Sequence, residues 1–396
     1  MSAGIAAARA DSASSGAFAR ERLLIVGENE RTRWALLAGA TLLYLPLIFA
    51  GAGSNPDSLR ELHSGSTLLW QHHYILSRPP GYFPYELLSG ALYALGGTIA
   101  NNLATLAMSI ALLDSFLLIC RRFQVPHRYL LAATMAIHPI YWANSTSTID
   151  FIWALGCFLL GFRLLLNDRY LSAAAMLGLS VGIRLSSVLL AAPLLIWELF
   201  ERPREVRLWA AAALAAAISA ALYLPEFVAS GNTLRFLTYY SDRWTLAQHL
   251  GRFIYKNVYF WGLPATIFLL ASFPMLMREL LECDRKYSRI IVLSASIVII
   301  FEALFLNLPV QRAYLLPLLP FVLILLGIAL RDRKRMLLAT MLLLFSFDFV
   351  NLNLARPDFP NHATHAAVGL FIEPGYLIGD VAARRDFARR NSVENK

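Results

Sequence analysis

The sequence predicts an all-α protein, a polytopic transmembrane bundle of about ten or eleven helices. Three observations carry this expectation. Apolar residues make up 58% of the 396 positions and charged residues only 15%, against roughly 25% charged in a soluble domain. Mean hydropathy is +0.55. The apolar residues gather in runs close to the roughly 20 residues a helix needs to cross a bilayer. Such a chain is not a soluble enzyme, a disordered polypeptide or a fibre.

The net charge is +9, and all but four of the 35 basic residues are arginine. They cluster between apolar runs, which marks topology rather than a nucleic-acid surface. Cys120, Cys157 and Cys283 lie in or beside apolar segments and make no disulfide framework. No cleavable signal is expected, because residues 1–33 carry Glu21, Glu28 and Glu30 ahead of the first apolar run.

The apolar runs at 34–52, 102–120, 129–144, 149–166, 208–225, 257–277, 288–306, 311–330 and 335–351 read as spans. Basic clusters follow at Arg31/Arg33, Arg121/Arg122/Arg128, Arg163/Arg169, Arg202/Arg204/Arg207, Arg278/Arg285/Lys286/Arg289 and Arg331/Arg333/Lys334/Arg335. The positive-inside rule puts all six on the cytoplasmic side. The apolar stretch 83–97 is then an interfacial or re-entrant helix, and residues 170–199 enter and return. At about 14 residues per arm and about 1.5 Å each, that hairpin is shorter than the roughly 30 Å core. Its apex near Gly182–Ser186 therefore sits at membrane depth, where turning backbone must be buried in protein or line a wet cavity. Three regions follow: a cytoplasmic segment 1–33, a transmembrane domain 34–351 and an exoplasmic tail 352–396.

The first outer loop, 53–82, opens with Asn55-Pro56-Asp57-Ser58, a helix start, and continues as an amphipathic surface helix. Asp57 reads either as that helix's N-cap or as a carboxylate at the mouth of the bundle. There it would act as a general base or ligate a divalent cation such as Mg or Mn. His63, His72 and His73 lack the spacing of a zinc site. Asp150, at the start of a span, is a second cap or a second site residue. Arg184, at the hairpin apex, needs a partner, because a charge inside a span costs at least about 2.5 kcal/mol on insertion scales. The candidates are a lipid phosphate, Asp150 or Glu302. Glu302 also reads as a partner of Arg312. Tyr239 and His249 in the outer loop 226–256, with Arg312 and Tyr314, are either interfacial anchors or headgroup contacts.

At the first loop the chain resembles the GT-C glycosyltransferase superfamily. Its branch using lipid-phosphate sugars, which includes protein O-mannosyltransferase-like enzymes, is the nearer likeness. The resemblance rests on Asp57 just after the first span and on Ser77-Arg78-Pro79-Pro80-Gly81-Tyr82 leading into an apolar helix. Further echoes are His138-Pro139-Ile140-Tyr141-Trp142, Ser145–Asp150, Gly178–Ser187 and Gln311–Pro320, together spanning residues 34–330. The resemblance implies that Asp57 is the catalytic carboxylate and that a Pro-Pro-Gly-Tyr-like element follows it. The sequence leads to no expectation of the soluble C-terminal domain that many relatives carry.

The reading that follows is an inverting glycosyltransferase of the inner (plasma) membrane. It transfers a sugar from a polyprenyl-phosphate donor to a hydroxyl of a lipid, glycan or protein, on the exoplasmic or periplasmic side. Asp57 would be the base, Arg184 and Arg312 would hold the donor phosphate, and Arg78, Tyr82, Asp150, Tyr239, His249, Glu302 and Tyr314 would line the cavity. The alternative is a transporter or flippase of a lipid-linked or anionic substrate, whose broken helices would look alike in sequence.

Overall fold

The architecture is that of a computed structural model, which describes residues 30–234, 245–357 and 366–394. Its elements in order are α1 (Glu30–Ala50, 3₁₀ from Leu45), α2 (Pro56–Gln71), α3 (Phe83–Arg122), α4 (Arg128–Ala136) and α5 (Pro139–Asn144). Then come α6 (Asp150–Leu166), α7 (Tyr170–Ile183), α8 (Val188–Glu201), α9 (Val206–Leu222), α10 (Leu224–Ala229), α11 (Leu246–Trp261) and α12 (Leu263–Leu281). The last are α13 (Ser288–Asn307), a 3₁₀ turn (Arg312–Leu318) running into α14 (Leu319–Ala329), α15 (Lys334–Phe349), the strands β1 (Val350–Pro357) and β2 (Ala366–Pro374), and α16 (Tyr376–Glu394). Among the described residues, 30–50, 83–122, 206–229, 263–281, 285–307 and 312–329 are each long and apolar enough to cross a membrane. The chain is a multi-pass membrane protein.

The basic clusters converge on one end of the bundle. Glu30 binds both Arg33 (2.8 Å) and Arg121 (3.1 Å), and Asp114 binds both Arg33 (2.6 Å) and Arg163 (3.0 Å). Arg289 reaches Glu201 at 2.7 Å, Arg333 reaches Glu279 at 3.0 Å, and His127 Nε2 meets the Arg331 carbonyl at 2.9 Å. Helices that alternate in direction bring these segments together only if all of them turn at the same level. That is the parity expected from the charge pattern.

The 170–199 segment goes in and comes back. Asp168, just before α7, binds Arg202, just after α8, at 2.7 Å, so the two arms begin and end at the basic end. Each arm has 14 residues, about 21 Å at 1.5 Å per residue. Between them Arg184 adopts an extended conformation (φ −150°, ψ 113°) that breaks the helix at depth.

Two glycines explain the 53–82 loop. Helix α3 is interrupted at Gly96–Gly97, where Gly97 has φ +62°, a left-handed conformation that glycine tolerates best. The turns before this break separate from the long span and pack across α2. At the crossing a Cβ on Gly65 would lie 2.0 Å from the Glu86 carbonyl oxygen. Backbone touches backbone there, and no side chain fits.

The C-terminal segment is not the plain tail expected from the sequence. It forms an antiparallel hairpin, Val350 paired with Pro374 and Asn351 with Glu373, followed by α16. Arg384 of α16 is fully buried and pairs with Asp380 at 2.7 Å. It donates to the carbonyls of Ala143 and Thr146, both at 2.7 Å, at the C-terminal end of α5. Those carbonyls lie where α5 ends, the Ala143 oxygen also accepting from the Thr146 amide at 3.3 Å, and they carry the negative end of the helix dipole, which suits a guanidinium. Arg384 is therefore held by internal contacts, which the positive-inside rule does not govern.

Candidate active site

The site lies at the end of the bundle opposite the basic clusters, about 20 Å away along α6, which runs from Asp150 to Arg163. Asn102 sets its frame. Its Nδ2 donates to the carbonyls of Ile48 (2.8 Å) and Gly51 (2.9 Å) at the end of α1, and its Oδ1 accepts from Thr148 at 3.1 Å. The loop that carries Asp57 and the loop that carries Asp150 are thereby held side by side.

Asn55, not Asp57, caps α2: its side chain accepts from the Asp57 amide at 3.1 Å. The cap reading of Asp57 is corrected by this. Asp57 is 6% exposed and bound through both oxygens. Arg60 lies 3.2 Å from Oδ1, while Arg78 Nη1 (2.7 Å) and Gln311 Nε2 (2.8 Å) approach Oδ2. Gln311 in turn accepts from Asn55 at 3.0 Å. Asp150 is likewise no cap; Ile149 occupies that position without a side-chain bond. Asp150 is fully buried and bridges two arginines, Arg78 Nη2 at 2.8 Å and Arg184 Nη1 at 2.5 Å.

Glu61 joins the same cluster at 2.8 Å from Arg78 Nη2. It stands four residues after Asp57, on the same face of α2, and sequence reading missed it although that spacing was visible. Burial holds the Glu61 carboxyl well above the ordinary range, and Asp150, Glu86 and Asp57 add to the effect while Arg78 opposes it. Three carboxyl groups, those of Asp57, Glu61 and Asp150, thus surround two guanidiniums, those of Arg78 and Arg184. The arrangement does not fit a divalent cation, because the Arg78 guanidinium already stands among the three carboxyl groups. Among the described residues no group of three metal-ligating side chains is present elsewhere.

The loop 72–82 is firmly tethered. Ser64 Oγ donates to the Ile75 carbonyl (2.6 Å), and Glu86 accepts from Tyr74 (2.6 Å) and the Ser77 amide (3.2 Å). The Pro79–Pro80 bond is cis. Gly81, at φ +101°, lies over Glu226 of α10, whose Cγ would be 2.1 Å from any Cβ there. Glu226 accepts from the Phe83 amide at 2.8 Å. The turn delivers the Tyr82 ring between the two arginines, 4.3 Å from Arg78 and 5.6 Å from Arg184.

Two cavities flank Asp57. The first, about 370 Å³ and mostly apolar, lies between α8 and α13 and is lined by Pro79, Pro80, Tyr82, Arg184, Leu189, Phe301, Leu304, Phe305 and Tyr314. Leu189 carries it into an apolar groove lined by Pro193, Ile196, Phe200 and Val292 lower on the same two helices. Arg184 is 6% exposed at its head, packed on Phe151 at 4.0 Å and Tyr314 at 4.6 Å. The second cavity, about 330 Å³ and polar, is lined by Ser54, Asn55, Asn144, Ser147, Lys256, Gln311, Arg312, Tyr376 and Asp380. Asp57 touches it through Gln311 and touches the first through Arg78 and Tyr82.

Most of the candidates picked from the sequence converge here: Asp57, Arg78, Tyr82, Asp150, Arg184 and Tyr314 form one contact network. Arg312 does not share a wall with Arg184. It lies in the polar cavity between the rings of Tyr259 (4.3 Å) and Tyr376 (4.2 Å). Glu302 pairs with neither arginine; it accepts from Asn257 at 3.2 Å. His249 sits half-buried in the first turn of α11 and lines neither cavity. Tyr239 lies outside the described residues.

No protein-family description matches the chain, and no curated protein matches it in sequence. Solved structures do. The chain is similar in fold to ArnT from Cupriavidus metallidurans. Its apo structure matches with a TM-score of 0.52 at 15% identity, over 77% of this chain and 61% of that one. The structure of ArnT bound to undecaprenyl phosphate matches with a TM-score of 0.51 at 15% identity, over 76% and 60%. This chain thus spans about three-fifths of ArnT's length. What the two chains share is the fold.

Proposed function

We propose that this protein is a membrane glycosyltransferase that takes its sugar from a polyprenyl-phosphate donor. One observation carries the reading. A buried arginine, Arg184, stands at the head of an apolar cavity between two helices and is linked through Asp150 and Arg78 to Asp57. An isoprenoid tail fits the groove along α8 and α13. A phosphate at its head meets the forked donors of Arg184. ArnT, of the same fold, is known bound to undecaprenyl phosphate.

The chemistry proposed is a single displacement. The acceptor hydroxyl oxygen forms a bond to the anomeric carbon as the bond from that carbon to the phosphate oxygen breaks. The bonding electron pair leaves with the lipid phosphate, and the hydroxyl proton passes to the Asp57 carboxylate. Arg184 stabilises the charge that grows on the phosphate, the main electrostatic task of the step. Arg78 orients Asp57, and Gln311 fixes the oxygen it shares with Arg78. Attack from the side opposite the phosphate inverts the anomeric centre. With the basic clusters on the cytoplasmic side, the site opens on the exoplasmic face. The carboxylate beside the cavity and the fold shared with ArnT favour transfer over transport.

Mass spectrometry of envelope lipids and glycans tests the reading in a strain lacking the gene. Restoring the wild-type gene should restore one added sugar. Asp57→Asn keeps the Asn55 cap and an acceptor for Gln311 but cannot take the proton. It should lower the product about 100-fold or more, the range for losing a general base. Full product from a normally expressed Asn variant would contradict the assignment.

A further inference from the structure

The polar cavity on the other side of Asp57 carries more positive charge than its own walls neutralise. Lys256 and Arg312 both line it. Among the described residues neither has a carboxylate partner; Arg312 is held between tyrosine rings and Lys256 lies 5.7 Å from the Tyr255 ring. Arg252, one turn before Lys256, adds to the local potential, and its Nε donates to the Pro309 carbonyl at 3.2 Å beside the cavity wall. The carboxylate on that wall, Asp380, is already committed to Arg384 and to the Ser54 hydroxyl. Burial, with Arg312 and Arg252, pushes the Lys256 amine down to about 8. A half-buried ammonium sharing a cavity with the Arg312 guanidinium is an unfavourable arrangement by itself, and an anion between the two relieves it.

We propose that this cavity is the acceptor subsite and that it binds an anionic group, a phosphate or a carboxylate, on the molecule whose hydroxyl is glycosylated. The proposal rests on the transferase reading for the word acceptor, and on the cavity alone for the anion. Lys256 and Arg312 hold the charge. Asn144, Ser147 and Asn55 offer neutral hydrogen bonds to the rest of a sugar-sized headgroup. Gln311, which lines the cavity and donates to Asp57, sets the distance between the bound anion and the base.

The test uses the full-length protein in detergent and calorimetric titration with four small probes: inorganic phosphate, glucose 6-phosphate, glucuronate and glucose. Undecaprenyl phosphate is titrated in parallel. The wild type should bind the phosphorylated or the carboxylated sugar at least about tenfold more tightly than glucose, the size of one charge-assisted hydrogen bond. Whichever anion is preferred names the acceptor's charged group. Lys256→Gln should lose about tenfold for that anion while Lys256→Arg retains it, and both should bind undecaprenyl phosphate like the wild type. Equal binding of glucose and the anions, or an unchanged Lys256→Gln variant, would overturn the anion subsite. If the anions bind as expected but undecaprenyl phosphate does not bind the wild type, the donor reading fails and the anion site stands.

Discussion

Asp57 and Asp150 hold the same guanidinium from two directions, Arg78 Nη1 lying 2.7 Å from Asp57 and Nη2 lying 2.8 Å from Asp150. The second oxygen of Asp150 then holds Arg184 at 2.5 Å. This chain of contacts runs from the wall of the polar cavity to the head of the apolar one. In the proposed reaction it would couple the residue that takes a proton to the residue that holds the departing phosphate.

Asp150 is accordingly the structural keystone of the site. Asp150→Asn leaves the buried Arg184 guanidinium without its carboxylate partner and takes one of three from Arg78. Breaking a buried ion pair this way costs about 3–5 kcal/mol. The expected outcome is a sharp fall in melting temperature and in detergent-soluble yield, measured by fluorescence-detected size exclusion. Pairing it with Arg184→Gln, which removes the orphaned charge, should recover much of the loss.

Much of this was legible in the sequence, and the reasons differ by residue. The hairpin apex at Arg184 followed from arithmetic, because 14-residue arms cannot reach both faces. The parity followed from arginine clusters, and the structure gathers them at one end. Glu61 escaped because a carboxylate on an amphipathic helix looks like its solvent face; only the fold turns that face inward, over Gly65 and Gly90. Gln311 and Lys256 escaped because a polar residue near a span end looks like an interfacial anchor until a neighbour from a distant helix arrives. Arg312, expected with Arg184, lies in the polar cavity instead, since its place is decided by Tyr259 and Tyr376, the second of them on α16.

That last helix makes a prediction of its own. Arg384 anchors α16 to the end of α5 and holds Asp380 on the polar cavity wall. Arg384→Ala takes the guanidinium from the buried Asp380 carboxylate and from the Ala143 and Thr146 carbonyls, and α16 should detach. Limited proteolysis in detergent should then cleave within residues 376–394 at least about tenfold faster than in wild type, the factor that corresponds to 1.4 kcal/mol of local opening. Unchanged protection would mean that α16 is held by its other contacts.

Sidedness is tested by labelling. His63 and Asp332 are exposed at opposite ends of the bundle. Cys120 and Cys157 are buried, and Cys283 is replaced by serine in the background. On intact cells an impermeant maleimide should modify His63→Cys and leave Asp332→Cys unmodified until the membrane is opened. The reverse pattern would invert the topology and place the site on the cytoplasmic face.

The account stands or falls on the ligand of Arg184. Native mass spectrometry of the purified protein with undecaprenyl phosphate measures it directly, comparing wild type, Arg184→Lys and Arg184→Ala. Wild type should carry one bound lipid. The lysine variant, which keeps the charge and loses the fork, should bind more weakly, and the alanine variant should show at least about a tenfold loss while Asp150 remains paired with Arg78 and the fold persists. Wild-type occupancy in the folded alanine variant would contradict the phosphate role and, with it, the polyprenyl-phosphate donor.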